Sequence, residues 1–374
     1  MDTLTHALSG ALLARATAPS SPNTGTLSLR ERSLVGSLAA VFPDIDNIIR
    51  FAYPLTFLNV HQGVTHSLLL VPLWAVMLSF LFAWVLTRAK RREYRWRMCF
   101  GVCTLGLIAH IAGDVITAYG TRIFAPFSDQ KVSLFTTFVI DPIFSGIIVV
   151  ALMVSGWKPR AAAGVGLMVL IGYVGFQALL RQEARALGVA YVEVKQLAGA
   201  TVHALPQPLS PFNWMVVVNQ GDSLHEALVN LKAPRRHSNE PRPSLLLGRI
   251  AASYRPAEKM RWTEHHRFGN DMETERLARE VWYQAGFSEF RRFALLPILY
   301  RVDRSPDKTC VWFTDLRFML RELVPPFRFG MCRDFAASPW RLYQLRGSHP
   351  GKAKAIGYAN LFIGNPFDRC VTVR

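Results

Sequence analysis

Cysteine and acidic residues are scarce in this chain, and both shortages exclude classes of protein. The 374 residues include five cysteines without a C-x-x-C pair, and the formal net charge is +17. A thiolate zinc site is therefore not expected, and the length excludes a small disulfide-stapled scaffold. An apolar fraction of 51% excludes a disordered chain. No RNP, zinc-finger or P-loop pattern occurs, so the positive charge favours anionic lipid over nucleic acid as a partner.

The cysteines fall into two groups. Cys99 and Cys103 lie in an apolar segment and are expected in the core, whereas Cys310, Cys332 and Cys370 are scattered over the C-terminal part. An odd trio outside the membrane could hold one disulfide, and its pairing stays open.

Apolar residues concentrate in the first 180 residues, which predicts a membrane half followed by a soluble half. A segment of about 20 residues with few charges suits a transmembrane helix. We predict four spans, at Ser67–Thr87, Met98–Ala118, Phe138–Gly156 and Ala161–Leu180. Two earlier apolar segments, Leu4–Ala18 and Ser33–Phe42, are too short to cross and predict half-spanning or interfacial helices.

Basic loops predict the orientation of the spans. Residues 88–97 include six lysines and arginines, so the positive-inside rule places this loop in the cytoplasm. The connection Trp157–Arg160 and the loop around Arg15, Arg30 and Arg32 are expected on the same side. The last span then ends outside, which predicts a periplasmic C-terminal domain. No basic leader with a cleavage site is visible, so the N-terminal residues are expected to remain.

The pattern changes after residue 180. Charged and aromatic residues interleave with short β-type runs separated by turn signals. The predicted strand regions are Trp214–Asn219, Phe293–Val302, Cys310–Leu316 and Trp340–Leu345. We therefore predict a membrane-embedded domain over 1–180 and a soluble α+β or mainly β domain over 181–374, with a solvated basic loop at Lys232–Pro243.

Acidic and histidine residues form clusters where apolar residues would be more stable. Asp2 and His6, like His110 and Asp114, have the i, i+4 spacing that places both on one helix face. Each cluster alone has an ordinary explanation, such as a helix cap. The clustered residues are Asp2 and His6, Asp44 and Asp46, His61 and His66, His110 and Asp114, with Asp141 as a further candidate.

His110 and Asp114 carry the strongest functional signal. They lie inside a predicted span, where ionisable side chains are costly and usually functional. A buried hydrogen bond that locks two helices is the structural alternative. With the predicted orientation, all the clusters come to the outer side of the membrane.

Four histidines and several carboxylates without thiolates suit zinc, manganese or iron. Because the donors exceed four, one or two ions are expected. Water activated by the metal would attack an ester or phosphoester, with Asp46 and Asp114 in catalytic roles. No G-x-S-x-G motif occurs in this half, which disfavours a serine hydrolase. The predicted metal ligands are Asp2, His6, Asp44, His61, His66, His110, Asp114 and Asp141.

The combined motif resembles the YdjM-like family of inner-membrane proteins, whose members are described as metal-dependent hydrolases. The resemblance covers residues 1–150 and implies a bacterial inner membrane, a bound metal and hydrolase activity. Gln62 stands where family members often have Arg, which leaves the histidines intact. The residues that carry the resemblance are Asp2-x-x-x-His6, Pro43-Asp44-Ile45-Asp46, His61-x-Gly63-x-Thr65-His66-Ser67 and His110-x-x-x-Asp114, followed by Thr117–Thr121, Pro126–Ser128 and Ile140–Pro142.

Three hypotheses about function stay open. The first is a metal-dependent hydrolase acting on a membrane lipid or a small anionic substrate, with Arg122 and Lys131 attracting an anionic headgroup. The second is a non-enzymatic transporter or an ion or proton pathway that uses the same His/Asp set. The third is an interaction module, in which a cytoplasmic C-terminal domain binds nucleic acid or a partner and the spans serve as an anchor.

Overall fold

The computed structural model describes residues 1–20, 25–232, 244–334, 338–346 and 353–355. Cys370 and the predicted basic loop beyond Lys232 lie outside the described residues. The N-terminal half is helical, and it is followed by two antiparallel sheets with short helices. This architecture confirms the predicted fold class.

The helical half contains both long and short helices. They are α1 (Thr3–Ala16), α2 (Leu29–Val41), α3 (Ile49–Ala52), α4 (Pro54–Val60), α5 (Val71–Lys90), α6 (Trp96–Val115), α7 (Pro142–Val154) and α8 (Pro159–Lys195). Within the described residues, three helices are long and apolar enough to cross a membrane: Leu68–Lys90, which includes the turn before α5, Trp96–Val115 and Pro159–Lys195.

The predicted span Phe138–Gly156 is shorter in the structure. It forms α7, which has 13 residues and a length of about 20 Å, against about 30 Å for the hydrocarbon core. Asp141 caps the helix and Pro142 occupies its first turn, so α7 begins there. It ends at Val154, before the turn that leads to Pro159.

Glycines allow α1, α2 and α6 to pack closely. A Cβ atom at Gly10 would overlap the carbonyl oxygen of Gly36, and one at Gly106 would lie 2.7 Å from that same oxygen. Small residues at such contacts let helix backbones approach in membranes. The close packing through α2 fixes α1 and α6 relative to each other, and these two helices carry His6 and His110.

The basic loops meet at one end of the helical half. The Tyr94 hydroxyl donates to Glu31 at 2.6 Å, which joins the loop after α5 to the start of α2. Arg15, at the end of α1, donates to the Ser155 hydroxyl at 2.6 Å beyond α7. Asp114 lies at the other end of α6, near its last residue Val115. The His/Asp clusters and the basic loops are therefore at opposite ends of the long helices.

The C-terminal part contains two antiparallel sheets with sequential strand order. The first comprises β1 (Thr201–Pro206), β2 (Asn213–Gln220), β3 (Ser223–Asn230) and β4 (Trp262–His266). The second comprises β5 (Pro297–Arg304), β6 (Thr309–Asp315), β7 (Phe329–Arg333), β8 (Arg341–Leu345) and β9 (Ala353–Ala355). The accompanying helices are α9 (Leu246–Ala252), α10 (Met272–Trp282) and α11 (Ser288–Phe293).

The predicted strand regions fall on β2, β5, β6 and β8. The region predicted from Phe293 begins later, at Pro297, because Ser288–Phe293 forms α11. A disulfide joins Cys310 of β6 to Cys332 of β7, and these residues are direct partners in the antiparallel register. This disulfide confirms that the C-terminal cysteines supply one bridge.

The two halves of the chain are packed together. Helix α8 continues past residue 180 to Lys195, and a Cβ atom at Gly188 would lie 2.5 Å from the Val202 side chain. Phe57 and Leu58 of α4 share a hydrophobic cluster with Phe290 of α11. The sheets are therefore held against the helical half both through α8 and near the His/Asp clusters.

Candidate metal centre

Four side chains from three separate segments meet in the interior of the helical half. His6 comes from α1, His66 from the short turn before α5, and His110 and Asp114 from one face of α6. Each of the four residues has an exposed fraction of at most 1%. The i, i+4 spacing on α6 brings Asp114 Oδ2 to 3.3 Å from His110 Nε2.

The distances within this group suit a small cation. Asp114 Oδ2 is 3.3 Å from His66 Nε2, and Asp114 Oδ1 is 3.2 Å from His6 Nε2. The α-amino nitrogen of Met1 also lies 2.5 Å from Oδ1. In a tetrahedral site with bonds of about 2.1 Å, ligand atoms are about 3.4 Å apart. His6, His110 and Asp114 therefore form a first set that could hold an ion, and His66 reaches the other oxygen of Asp114.

Several polar atoms in this group lack hydrogen-bond partners. Both ring nitrogens of His6 and the Oδ2 atom of Asp114 are buried and make no hydrogen bond within the described residues. Buried polar atoms are usually paired, and leaving one unpaired costs free energy. A cation bound between these atoms would satisfy them, so the donor set fits a metal ion.

Outer hydrogen bonds fix the tautomers of two histidines. The Nδ1 atom of His110 lies 2.6 Å from the Ala40 carbonyl oxygen, which can only accept, so this nitrogen carries the proton. The Thr65 hydroxyl donates to Asp46 at 2.9 Å and therefore accepts from His66 Nδ1 at 2.9 Å.

With a proton on the Nδ1 atom of each ring, the two Nε2 atoms face each other at 2.9 Å. This contact requires a positive charge between the two nitrogens, either a proton on one of them or a bound cation. A bound metal ion is one of the two charges that would satisfy the facing nitrogens.

Asp44 extends the group on one side. Its carboxylate is 3.9 Å from His110 Nε2, and Asp44, His66 and His110 together form a second set that could hold an ion. The other oxygen of Asp44 accepts from the Thr3 hydroxyl at 3.0 Å. Asp44 lies in the turn Phe42–Ile48, which directly follows α2.

Asp46 and His61 form an acid–base pair next to the group. Asp46 Oδ1 accepts from His61 Nδ1 at 2.7 Å, and Asp46, His61 and His66 form a third set that could hold an ion. The His61 ring stacks on Phe57 at 4.7 Å and meets the Tyr119 ring edge-on at 5.3 Å. The pair can therefore serve either a second ion or proton transfer.

Asp2 belongs to none of the three sets within the described residues. Its carboxylate caps α1 by accepting from the Thr5 backbone N–H at 3.0 Å and from the Thr5 hydroxyl at 2.6 Å. Both oxygens are engaged at the helix start, which is the ordinary role of an aspartate at this position. The structure brings His6 into the cluster without Asp2.

Asp141 also lies outside the three sets. One oxygen accepts from the backbone N–H groups of Ile143 and Phe144 at the start of α7. The other accepts from the Tyr173 hydroxyl at 2.9 Å and the Gln177 amide at 3.0 Å, both on α8. Asp141 therefore joins α7 to α8 with its hydrogen-bond capacity filled.

Two residues near the cluster were not predicted as part of the site. Tyr119 contacts His61, and its backbone is held from the C-terminal half by Arg317, which donates to the Ala118 and Tyr119 carbonyls at 3.1 and 3.0 Å. Arg317 itself pairs with Asp315 at 2.8 Å. A contact across 198 residues has no local sequence signal.

Known proteins match the part of the chain that contains these clusters. Residues 1–184 match the family model described as YdjM inner membrane protein. A relative named Uncharacterized protein YfhP, from Bacillus subtilis (strain 168), is 26% identical over 178 residues, which are 46% of this chain and 52% of the relative. The match thus spans about half the length of that curated relative, and no solved structure matches the chain significantly. Over residues 1–184, the chain belongs to the YdjM inner membrane protein family.

Proposed function

We propose that the chain is a membrane-bound, metal-dependent hydrolase whose metal is held by His6, His66, His110 and Asp114. The observation that carries this proposal is a group of three buried atoms, both ring nitrogens of His6 and Oδ2 of Asp114, that make no hydrogen bond within the described residues and lie beside two imidazole Nε2 atoms 2.9 Å apart. A divalent transition ion, with zinc first and manganese or iron as alternatives, would supply the Lewis acidity that activates water against an ester or phosphoester.

The remaining donors extend this centre. Asp44 lies close enough to add a fifth ligand, and the set of Asp46, His61 and His66 offers a second position. One or two ions can therefore be held. The unused carboxylate oxygens and outer hydrogen bonds orient the imidazoles, as such partners do in known metal sites.

The Asp46–His61 pair would take the proton from the attacking water. The 2.7 Å hydrogen bond from Nδ1 to Asp46 leaves His61 Nε2 free to accept a proton from the attacking water. Asp46 then acts by orienting His61 and stabilising its charged form. Asp114 lies at the centre of the ligand set and contacts three histidines.

The proposed location is the bacterial inner membrane, with the centre near the outer leaflet and the C-terminal domain in the periplasm. The basic loops at the opposite end of the helices support this orientation through the positive-inside rule. The disulfide between Cys310 and Cys332 supports an oxidising compartment for the sheets. The substrate would be a membrane lipid or a small anionic molecule.

A proton or ion pathway is the second candidate. Titratable side chains contact one another in series, since the His6 ring stacks on His110 at 3.7 Å and His66 lies between His110 and the Asp46–His61 pair. Continuous His/Asp chains inside membranes mark relays in transporters. Metal content separates the two candidates, because a relay does not require a bound ion.

The test is elemental analysis of the detergent-purified full chain beside a His66→Ala/His110→Ala variant. We expect one or two equivalents of transition metal in the wild type and loss of that metal in the variant, because two imidazole ligands are removed. The control is His225→Ala/His265→Ala, which removes two histidines from β3 and β4 and should keep the metal. His66→Ala and Asp114→Ala should each abolish metal binding and hydrolysis of ester or phosphoester substrates.

Full metal occupancy in the double variant would contradict the ligand assignment. Absence of metal from the wild type, even after incubation with zinc or manganese, would contradict the hydrolase proposal. Solute or proton uptake by proteoliposomes would then identify the relay.

A further inference from the structure

Three buried nitrogen and oxygen donors have no acceptor among the described residues. They are the Tyr119 hydroxyl, the Lys131 ammonium and the Nε atom of Arg122, all in the loop between α6 and α7. None of the three makes a hydrogen bond to a described residue. Buried donors in native proteins are usually paired, so three orphaned donors in one loop indicate a missing acceptor.

Tyr119 and Lys131 lie beside one aromatic ring, together with Arg317. Phe293 of α11 lies 5.5 Å from the Tyr119 ring, 5.3 Å from Lys131 Nζ and 5.2 Å from the Arg317 guanidinium carbon. Tyr119 in turn contacts the His61 ring at 5.3 Å. Tyr119 therefore lies beside the acid–base pair, and the Arg122 backbone N–H donates to the carbonyl of Gln62, next to His61, at 2.9 Å.

The charges at this place do not balance. Arg122 pairs with the exposed Asp129 at 2.9 Å and also donates to the Asn59 carbonyl. Arg317 pairs with Asp315. The remaining cation is Lys131, whose buried ammonium has an aromatic ring beside it but no acceptor among the described residues.

The environment of Lys131 is unfavourable for its charge. Burial, together with the positive charges of Arg317 and Arg122, lowers the pKa of Lys131 to about 8. The side chain is therefore still protonated at neutral pH. A buried ammonium without an acceptor destabilises a protein, and a bound anion would remove that penalty.

We propose that Lys131, Tyr119 and the Nε atom of Arg122 form a subsite for the phosphate of an anionic substrate. The inference rests on the proposed function, because the subsite would hold a phosphoester beside His61 and the metal ligands. Lysine offers only donors, and the orphaned atom of Arg122 is also a donor, so the group recognised carries acceptors. Charged donors to phosphate oxygens form the stronger class of hydrogen bond.

A lipid headgroup and a soluble phosphomonoester share this chemistry. The test titrates the full chain, loaded with zinc in maltoside detergent, with inorganic phosphate and separately with dihexanoyl phosphatidic acid, using calorimetry. Lys131→Met should weaken binding by about 10-fold or more, and Tyr119→Phe by about 3-fold to 10-fold, since a charged hydrogen bond contributes more than a neutral one. Lys131→Arg should retain most of the affinity.

Two matched controls separate the subsite from general effects of substitution. Lys308→Met removes another lysine that lies over an aromatic ring, Tyr343, in the second sheet. Tyr254→Phe removes a buried hydroxyl that donates to Gln207. Both variants should bind phosphate like the wild type.

Affinity for phosphatidic acid more than about 10-fold above that for phosphate would identify a lipid headgroup as the natural ligand. Equal affinities would identify a soluble phosphomonoester. The proposal is wrong if the wild type binds neither probe, or if Lys131→Met binds both unchanged. Zinc content is measured in every variant. Lysine-dependent phosphate binding without zinc would contradict the proposed hydrolase while supporting the subsite.

Discussion

Asp315 in the sheet region and Asp114 in the helical region are both buried carboxylates, but their surroundings differ. Asp315 accepts from the Leu295 backbone N–H at 2.7 Å and from the Arg317 guanidinium at 2.8 to 3.1 Å, so both oxygens are satisfied by the protein. The Oδ2 atom of Asp114 lies 3.3 Å from two imidazole nitrogens and makes no hydrogen bond to a described residue. The first arrangement is complete without a ligand, and the second would be completed by a cation.

The largest effect is expected from breaking the complete pair. Arg317→Met should lower the free energy of unfolding by about 3–5 kcal/mol, because it leaves Asp315 charged and unpaired in the interior. It should also release the backbone of Tyr119, which Arg317 holds. Thermal unfolding in detergent measures the change. Arg317→Met/Asp315→Asn should recover part of the loss, and a single variant as stable as the wild type would contradict a structural role for the pair.

An intermediate effect is expected from the helix packing that positions Asp114. Gly106→Ala should destabilise the protein by about 1–3 kcal/mol through overpacking against α2, since its Cβ atom would lie 2.7 Å from the Gly36 carbonyl oxygen. Zinc affinity should fall as well, because His110 lies one turn further along α6.

Gly101→Ala is the matched control on the same helix, because no described atom lies within 4 Å of its added Cβ. It should be neutral or stabilising by up to about 1 kcal/mol, given the higher helix propensity of alanine. If both variants lose zinc equally, the loss cannot be assigned to the contact with Gly36. It would show instead that α6 tolerates neither substitution.

The smallest effect is expected from substitution of Asp141 in the helical region. Asp141 is buried there, yet it has a filled set of hydrogen bonds like Asp315. Asp141→Asn should therefore lower stability by about 1 kcal/mol and leave the metal content unchanged. Loss of metal in this variant, measured by elemental analysis, would return Asp141 to the ligand set.

Much of the site could be predicted from the sequence because its spacing is local. The i, i+4 pair of His110 and Asp114 lies on one helix face, and the positive-inside rule brought the separate clusters to one end of the helices. Asp2 and Asp141 could not be distinguished from the proposed ligands, because an aspartate that begins a helix has the same sequence appearance in either role. Only their hydrogen-bond partners distinguish them.

The limits of the fold prediction have similar causes. The apolar run Phe138–Gly156 was long enough for a span, but Asp141 and Pro142 begin the helix several residues later. The contact between Arg317 and Tyr119 depends on the packing of two halves of the chain and could not be predicted from local sequence. Helix α10 has a local sequence signal, since Asp271 caps it and Leu277, Ala278 and Val281 form its buried face.

Helix α8 connects the helical half to the sheets as one continuous helix. Its 37 residues extend for about 55 Å without a break, well beyond the hydrocarbon thickness. The first sheet packs on its far end at Gly188, so the sheets turn with the helix. One inserted residue near position 180 would rotate everything after it by about 100°. The loop that carries Tyr119 would then lose its contact with Arg317, although every residue of the His/Asp cluster would be unchanged.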